Sequence, residues 1–205
     1  MMDLGLDRLS NAIADMGSLA QQSVIRAIEA YTKGERISSQ ALDNAKQLSI
    51  LGEEIDELAV ELLARYQPVA TDLRYIKSCL EISYGFQRFG RYAWDIAQVL
   101  EMAGDLSSCD KTTIERLSHH VDSMIIDSIQ SFKTRDEKLA RTLRDRDEEV
   151  DRTYRTVTKQ LFQGGSTTVG CALASTLVLR YLERIADHAC HIADSVIYIT
   201  TGKKI

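Results

Sequence analysis

Apolar residues recur at intervals of three and four positions along nearly the whole chain, which is the spacing of one face of an α-helix. The 205 residues include a single proline, Pro68, and only 11 glycines. An all-β fold needs many more turns than these residues supply. A chain of this length can bury about 70% of the surface that it exposes when unfolded, so it needs neither a disulfide nor a metal ion in order to fold. The sequence therefore predicts an all-α fold.

Interruptions of the apolar pattern predict six long helices. Pro68 separates the second helix from the third, because proline lacks a backbone N–H and disfavours helical geometry in the residue before it. The predicted helices cover residues 3–33, 38–66, 72–102, 111–133 and 136–163, and the sixth runs from a glycine turn at 164–168 to Thr201. Helices of about 30 residues with short connections are typical of antiparallel bundles.

The sequence also contains an internal repeat. Residues 23–31 resemble 124–132, residues 53–56 resemble 148–151, and residues 88–97 resemble 184–193. These similar segments follow the same order across three helices in each half of the chain. We therefore predict two tandem three-helix bundles related by a pseudo-twofold axis, with residues 1–105 in the first and residues 106–205 in the second.

The formal net charge is −5 at pH 7, which argues against nucleic acid as a partner, because nucleic-acid binding depends on clustered lysine and arginine. The first seven residues include two acids and no apolar segment, so no secretory signal is predicted. No cationic amphipathic helix suggests direct insertion into a membrane. We expect a cytoplasmic protein. Its four cysteines lie far apart with no C-x-x-C pair and are expected to be reduced thiols: Cys79, Cys109, Cys171 and Cys190.

Acidic residues form a stripe on the sixth helix. At ~100° per residue, Glu183, Asp187 and Asp194 fall within roughly 40° of one another, and His191 lies beside them. The fifth helix carries a second pair of acids four residues apart, Asp147 and Asp151. Each of these two helices therefore presents carboxylates along one side.

The two acidic stripes are in register if the fifth and sixth helices form an antiparallel hairpin. The sum of the residue numbers is the same for Asp151 with Glu183 as for Asp147 with Asp187, and its midpoint falls within the glycine turn. Four carboxylates at two matching levels repel one another, by several kcal/mol per pair at ~4 Å and an effective dielectric constant near 20. Protons, arginines or a metal cation must relieve that repulsion, and clustered carboxylates on facing helices suit hard or borderline cations. A solvated face balanced by arginines is the alternative interpretation.

The matching positions of the first repeat are altered. Asp56 keeps the acid that corresponds to Asp151, but Gln87 and Arg91 stand where the second repeat has Glu183 and Asp187, and Asp147 corresponds to Gly52. An acid, an amide and a guanidinium do not readily hold a cation. We therefore expect a degenerate, metal-free site in which Arg91 pairs with Asp56 or with a nearby acid.

Two segments carry a resemblance to the PhoU family of phosphate-uptake regulators. Residues 67–74 resemble its Q-P-V-A-x-D-L-R turn, and residues 180–194 resemble its L-E-R-I-A-D-H-A-x-N-I-A-E segment. The family is built as two three-helix bundles with acid-x-x-x-Asp motifs on paired helices, where some members bind iron or zinc clusters. By position, the resemblance implies iron, zinc or another divalent cation at one set of four carboxylates: Asp147, Asp151, Glu183 and Asp187. His191, which stands where the family usually has asparagine, and Asp194 are further candidate ligands.

The resemblance also implies a non-catalytic cytoplasmic regulator. Such a protein is expected to act beside a phosphate ABC transporter and, in bacteria, a membrane sensor kinase. We also expect it to be a homodimer. Two alternatives stay open. One is a metal-free helical scaffold or interaction protein, and the other is a carboxylate-bridged metal enzyme of the ferritin type. The second lacks the Glu-x-x-His pairs that this chemistry typically uses.

Overall fold

The computed structural model describes residues 2–163 and 168–204 and contains six α-helices and no strand in those residues. The helices are α1 (Met2–Lys33), α2 (Ser38–Tyr66), α3 (Ala70–Ala103), α4 (Thr112–Thr134), α5 (Glu137–Phe162) and α6 (Val169–Thr201). Every described boundary lies close to its predicted position, so the all-α fold of six long helices is confirmed. Most of the predicted turn at 164–168 lies outside the described residues.

Local backbone chemistry ends and begins these helices. Gln67 takes a left-handed conformation (φ 46°) just before Pro68, and its N–H still bonds to the Leu63 carbonyl. Asp136 begins α5 by accepting a hydrogen bond from the Leu139 N–H at 3.0 Å. Such side-chain caps satisfy N–H groups that have no partner within the helix. Left-handed residues thus end α2, α4 and α6, and side-chain caps begin α5 and α6, whereas the residues that precede α2, α3 and α4 make no side-chain cap.

The helices pack as two sets of three. Within each set, α1–α3 and α4–α6, every helix contacts both others. The sets meet where α1 packs on α4 and α3 packs on α6, whereas in the described residues α2 and α5 contact only helices of their own set. One continuous apolar core runs through both sets. The division between residues 105 and 106 stays a prediction, since the core itself does not divide there.

The buried face of α6 agrees with its apolar pattern. Ile185, Ala189, Ile192, Val196 and Ile199 are all buried in the core. Their spacing turns the acids of the same helix away from the core centre and toward α5. None of the helices in the described part of the chain is both long and apolar enough to cross a membrane.

One expectation about the cysteines is wrong. Cys109, in the connection between α3 and α4, forms a disulfide with Cys171 in the first turn of α6, and their Cα atoms are 5.4 Å apart. Cys79 and Cys190 are free thiols, as expected, and both are buried. Sequence spacing conceals this pairing because 62 positions separate the bonded cysteines, and only the packing of α6 beside the α3–α4 connection brings them together.

Candidate functional site

The structure brings the four predicted carboxylates of α5 and α6 within electrostatic reach of one another. Burial, together with the negative charges of Asp187, Asp151 and Glu183, raises the pKa of Asp147 to about 6. Burial is also the main cause that raises the pKa of Glu183, followed by repulsion from Asp187. Both shifts mean that the folded protein disfavours the ionised carboxylates. We call these four residues the carboxylate cluster.

Arginines already neutralise much of the carboxylate cluster. Three of its members each accept a hydrogen bond from an arginine on the same helix, three or four residues away. The pairs are Arg155 Nη2 with Asp151 Oδ2 at 2.6 Å, Arg180 Nη1 with Glu183 Oε1 at 2.6 Å, and Arg184 Nη1 with Asp187 Oδ2 at 2.7 Å. Charge-assisted hydrogen bonds of this length are among the stronger ones in proteins. This arrangement is the one that the solvated-face interpretation predicts.

Two acceptor atoms of the cluster have no partner. Asp147 Oδ1 and Glu183 Oε2 are buried, and neither accepts a hydrogen bond from the described residues. A buried oxygen without a donor is costly, and either a proton or a cation would relieve that cost. Within residues 2–163 and 168–204, however, no group of three or more histidine, cysteine, aspartate or glutamate side chains is arranged to hold a metal ion. A cation would have to displace arginines, and the assignment of ligands stays a prediction.

The two additional candidate ligands have other neighbours. Both Asp194 oxygens accept hydrogen bonds from Arg144 Nη2, at 2.9 and 2.8 Å. His191 is exposed and places its ring edge-on against His188, with ring centroids 5.4 Å apart. Neither residue joins the carboxylate cluster in a metal-binding arrangement.

The degenerate site of α2 and α3 forms an ion pair, but not the one named first in the prediction. Arg91 Nε lies 3.2 Å from Asp95 Oδ1, one helical turn along α3, and its guanidinium covers the Trp94 ring at 4.5 Å. Of the two predicted alternatives, the structure shows the ion pair with a nearby acid, and that acid is Asp95. Asp56 is exposed on α2. Comparison of the two repeats does not indicate Asp95 as a partner of Arg91, because the corresponding residue of the second repeat is His191, which is not an acid.

Gly52 explains why this degenerate site lacks its other acid. A Cβ atom at Gly52 would collide with the side-chain amide of Gln87. The Gln87 side chain thus occupies the space that a side chain at position 52 would need. In the second repeat, the corresponding space between α5 and α6 holds the Asp147 carboxylate instead.

Sequence reasoning missed one contact that joins the two sets of helices. The Tyr92 hydroxyl on α3 accepts hydrogen bonds from Arg88 Nη2 at 2.8 Å and from Arg184 Nε of α6 at 3.4 Å. Arg184 also bonds to Asp187, so the carboxylate cluster is connected to the α3–α6 interface through one guanidinium. The only signal in the sequence was the paired position of Arg88 and Arg184 in the repeat.

Curated relatives resemble the chain over almost its full length. A protein of Caulobacter vibrioides named phosphate-specific transport system accessory protein PhoU homolog is 31% identical over 207 residues, which cover 98% of this chain and 90% of that protein. A Thermotoga maritima protein named phosphate-specific transport system accessory protein PhoU homolog 1 is 29% identical over 210 residues, which cover 98% of this chain and 89% of that protein.

Solved structures share the fold. A crystal structure of PhoU from Pseudomonas aeruginosa superposes with a TM-score of 0.93 at 28% identity, over 99% of this chain and 100% of that one. The phosphate transport system regulatory protein PhoU from Streptococcus pneumoniae, at 19% identity, has the same fold, also with a TM-score of 0.93. The family model described as PhoU domain matches twice, over residues 13–100 and 114–196. These two matches reproduce the internal repeat, and the chain belongs to the PhoU family.

Proposed function

We propose that this protein is a regulator of phosphate uptake and phosphate signalling that acts by binding other proteins rather than by catalysis. The observation that carries the proposal is the match, over 98% of the chain, to relatives named as accessory proteins of the phosphate-specific transport system. The helical fold with its paired arginines and carboxylates offers a charged surface on α5 and α6 for such contacts. Its site of action in this proposal is the cytoplasm.

The direct partner in this proposal is a component of a phosphate ABC transporter, and a membrane sensor kinase is the second candidate partner. Affinity capture from phosphate-replete and phosphate-starved cells tests both, with wild type compared with the Asp151→Ala/Asp187→Ala variant. We expect wild type to recover a transporter or kinase component in a phosphate-dependent way and the variant to recover less. An exposed acid on the same helix supplies the matched control, Asp145→Ala. Recovery of neither component in either state would contradict the proposal.

We propose further that the carboxylate cluster binds iron, zinc or another divalent cation. Asp147 Oδ1 and Glu183 Oε2, the two buried oxygens without hydrogen-bond donors, would be its first ligands. Asp151 and Asp187 would join after their arginines turn toward solvent. A bound cation would supply positive charge that relieves the mutual repulsion of the four acids.

Metal analysis of protein purified without chelators tests the cation proposal. Wild type is expected to retain metal, and Asp147→Asn/Glu183→Gln is expected to lose it. The corresponding change in the degenerate site, Asp56→Asn, is the control and should retain it. Equal metal content in wild type and in the double variant would overturn this assignment of ligands.

A metal-free scaffold is the second candidate function, and the three arginine pairs of the cluster favour it. In that case, wild type prepared without chelators contains no metal, and adding iron or zinc does not raise its melting temperature. A homodimer is expected under either function. Light scattering coupled to gel filtration measures its mass directly, and a monomeric mass would contradict it.

A further inference from the structure

A groove of about 500 Å³ lies between α3 and the C-terminal half of α6, apart from the carboxylate cluster. Its walls are mostly apolar and aromatic. They include Leu80, Tyr84, Gly85, His188, His191 and Tyr198. Volumes of 300–1,000 Å³ with such a lining are typical of sites for small organic molecules, as a rough guide.

The two repeats differ at the wall of this groove. Because residues 88–97 match 184–193, Gly85 of α3 corresponds to Tyr181 of α6, and His188 corresponds to Tyr92. The Tyr181 ring stacks on Tyr92, with centroids 6.2 Å apart, and so fills the space on that side of the pseudo-twofold axis. On the other side, Gly85 lines the groove without a side chain, and a Cβ atom there would lie 3.0–3.1 Å from the Ile192 side chain. The groove therefore lies beside a position that carries an aromatic ring in the other repeat.

His188 lines the groove, and one of its ring nitrogens has no hydrogen-bond partner among the described residues. The residue is only 5% exposed, and its Nε2 atom is buried without a hydrogen-bond partner among the described residues. A neutral imidazole ring has one donor and one acceptor nitrogen, so either kind of ligand atom can pair with it. Tyr84 and His191 hold the ring edge-on from two sides, at centroid distances of 6.0 and 5.4 Å. A buried polar atom without a partner is costly, and a ligand in the groove can satisfy it.

Charges around the groove favour an anion. Two ammonium groups, Lys77 and Lys204, lie 5.6 and 5.9 Å from the centre of the Tyr198 ring at one end. The carboxylates that border the groove are already paired, Glu81 with Lys77 and Asp194 with Arg144. Because these two carboxylates are paired, Lys204 is the cation of the groove wall that has no carboxylate partner among the described residues, and it leaves a positive charge beside Tyr198.

We infer that this groove binds a small planar ring that carries an anionic group. The ring lies among the aromatic side chains of Tyr84, His188 and Tyr198 and hydrogen-bonds to His188 Nε2. The anionic group lies toward Lys77 and Lys204. Planar rings of this kind pack favourably against aromatic side chains, in offset-stacked or edge-to-face arrangements. The site would give this regulator a small-molecule input that is separate from its carboxylate cluster.

Calorimetric titration with naphthoate tests the inference, since this probe combines a planar ring with one negative charge. Saturable binding with a dissociation constant of about 1 mM or tighter is expected. Naphthylmethylamine, which has the same ring and a positive charge, should bind roughly tenfold more weakly or not at all. The Gly85→Tyr variant adds a tyrosine ring at the wall of the groove, and it should lose naphthoate binding. Its matched control, Met102→Tyr, adds the same ring at an exposed position of the same helix and should bind as wild type does.

A second variant keeps the test decisive if Gly85→Tyr does not fold, which circular dichroism will show. His188→Phe keeps the ring and removes its nitrogens, so it should weaken naphthoate binding up to about tenfold while leaving the melting temperature nearly unchanged. Three results would overturn the inference: no saturable binding of naphthoate by wild type, equal binding of the anionic and cationic probes, or unaltered binding by both folded variants.

Discussion

Asp147 is the residue at which the conflict within the carboxylate cluster is greatest. Its Oδ1 atom is buried without a donor, and three other carboxylates raise its pKa. The neighbouring acids each have an arginine as a partner, whereas Arg144, which lies one turn before Asp147, bonds to Asp194 instead. A single side chain thus carries most of the unrelieved repulsion. A cation at this position would act first on Asp147.

In the metal-free protein, the Asp147→Asn variant should be more stable than wild type at pH 7. The folded pKa of about 6 lies above the ordinary value of 3.8, so the folded state binds the Asp147 proton more tightly than the unfolded state does. The stability that this proton contributes is complete below about pH 4 and is lost as the pH rises through 6. Because the side chain is partly exposed and screened by solvent, we expect a gain of about 1 kcal/mol.

Urea unfolding in the presence of a chelator, repeated from pH 5 to 8, measures this effect. The advantage of Asp147→Asn should shrink as the pH falls below 6. Asp145→Asn, at an exposed position of the same helix, is the control and should change stability little. A variant that is less stable than wild type at pH 7 would show that the ionised carboxylate stabilises the fold.

At the scale of single elements, local chemistry accounts for most of the architecture. Apolar spacing determines which face of each helix is buried, and left-handed residues such as Gln67 and Arg135 end helices. The N-terminal turn of α5 depends on Asp136, whose carboxylate accepts the Leu139 N–H. The disulfide is a different kind of constraint, because it joins two elements that are distant in sequence.

Removing the cap of α5 should destabilise the protein modestly. The Asp136→Ala variant leaves the Leu139 N–H without its acceptor and is expected to cost about 1 kcal/mol of unfolding free energy. Asp136→Asn can still accept this hydrogen bond and should retain most of the stability, so the pair of variants separates the cap from the charge. Urea unfolding measures both differences. Equal losses in the two variants would indicate that the charge, rather than the hydrogen bond, stabilises the helix.

The disulfide between Cys109 and Cys171 should stabilise the protein chiefly by restricting the unfolded chain. It closes a loop spanning 62 positions that contains all of α4 and α5. Loop entropy predicts a loss of about 4 kcal/mol when the bond is removed, and measured losses are often smaller. Unfolding of the Cys109→Ser/Cys171→Ser variant measures this loss. Adding a reductant should destabilise wild type but not the variant, and an equal response of both would rule out the bond as the cause.

At the scale of the whole molecule, the two repeats behave as one unit. The pairs α1–α4 and α3–α6 join the two sets of helices through a shared apolar core, and the Tyr92–Arg184 contact adds a polar link between them. Removing either set would expose apolar residues of the other. We therefore expect the two repeats to fold together rather than as independent units.

We expect one cooperative unfolding transition for both sets of helices. Trp94, the single tryptophan, lies in α3, so its fluorescence reports the first set, whereas circular dichroism reports all six helices. The two signals should give the same urea midpoint. An Ile192→Ala variant truncates a buried residue at the α3–α6 interface and should cost roughly 2–5 kcal/mol of unfolding free energy, which lowers both midpoints together. Separate midpoints for the two signals would show that the sets unfold independently.

The sequence by itself determined the six helices, their internal repeat and the neighbourhood of Asp147, Asp151, Glu183 and Asp187. These features depend on periodic spacing along a helix and on the arithmetic of an antiparallel pair, both of which can be read from residue numbers. Family membership was likewise visible in two short segments, and the comparisons confirmed it.

Only the tertiary structure decided which side chains are partners. It paired Arg91 with Asp95 rather than Asp56, joined Cys109 to Cys171, and left a groove beside Gly85. Several acceptors lie within reach of each arginine, and the choice among them depends on rotamers and on packing between helices. Contacts between distant segments follow from how the two repeats dock, and that docking depends on the combined shape of many side chains rather than on the spacing of a few.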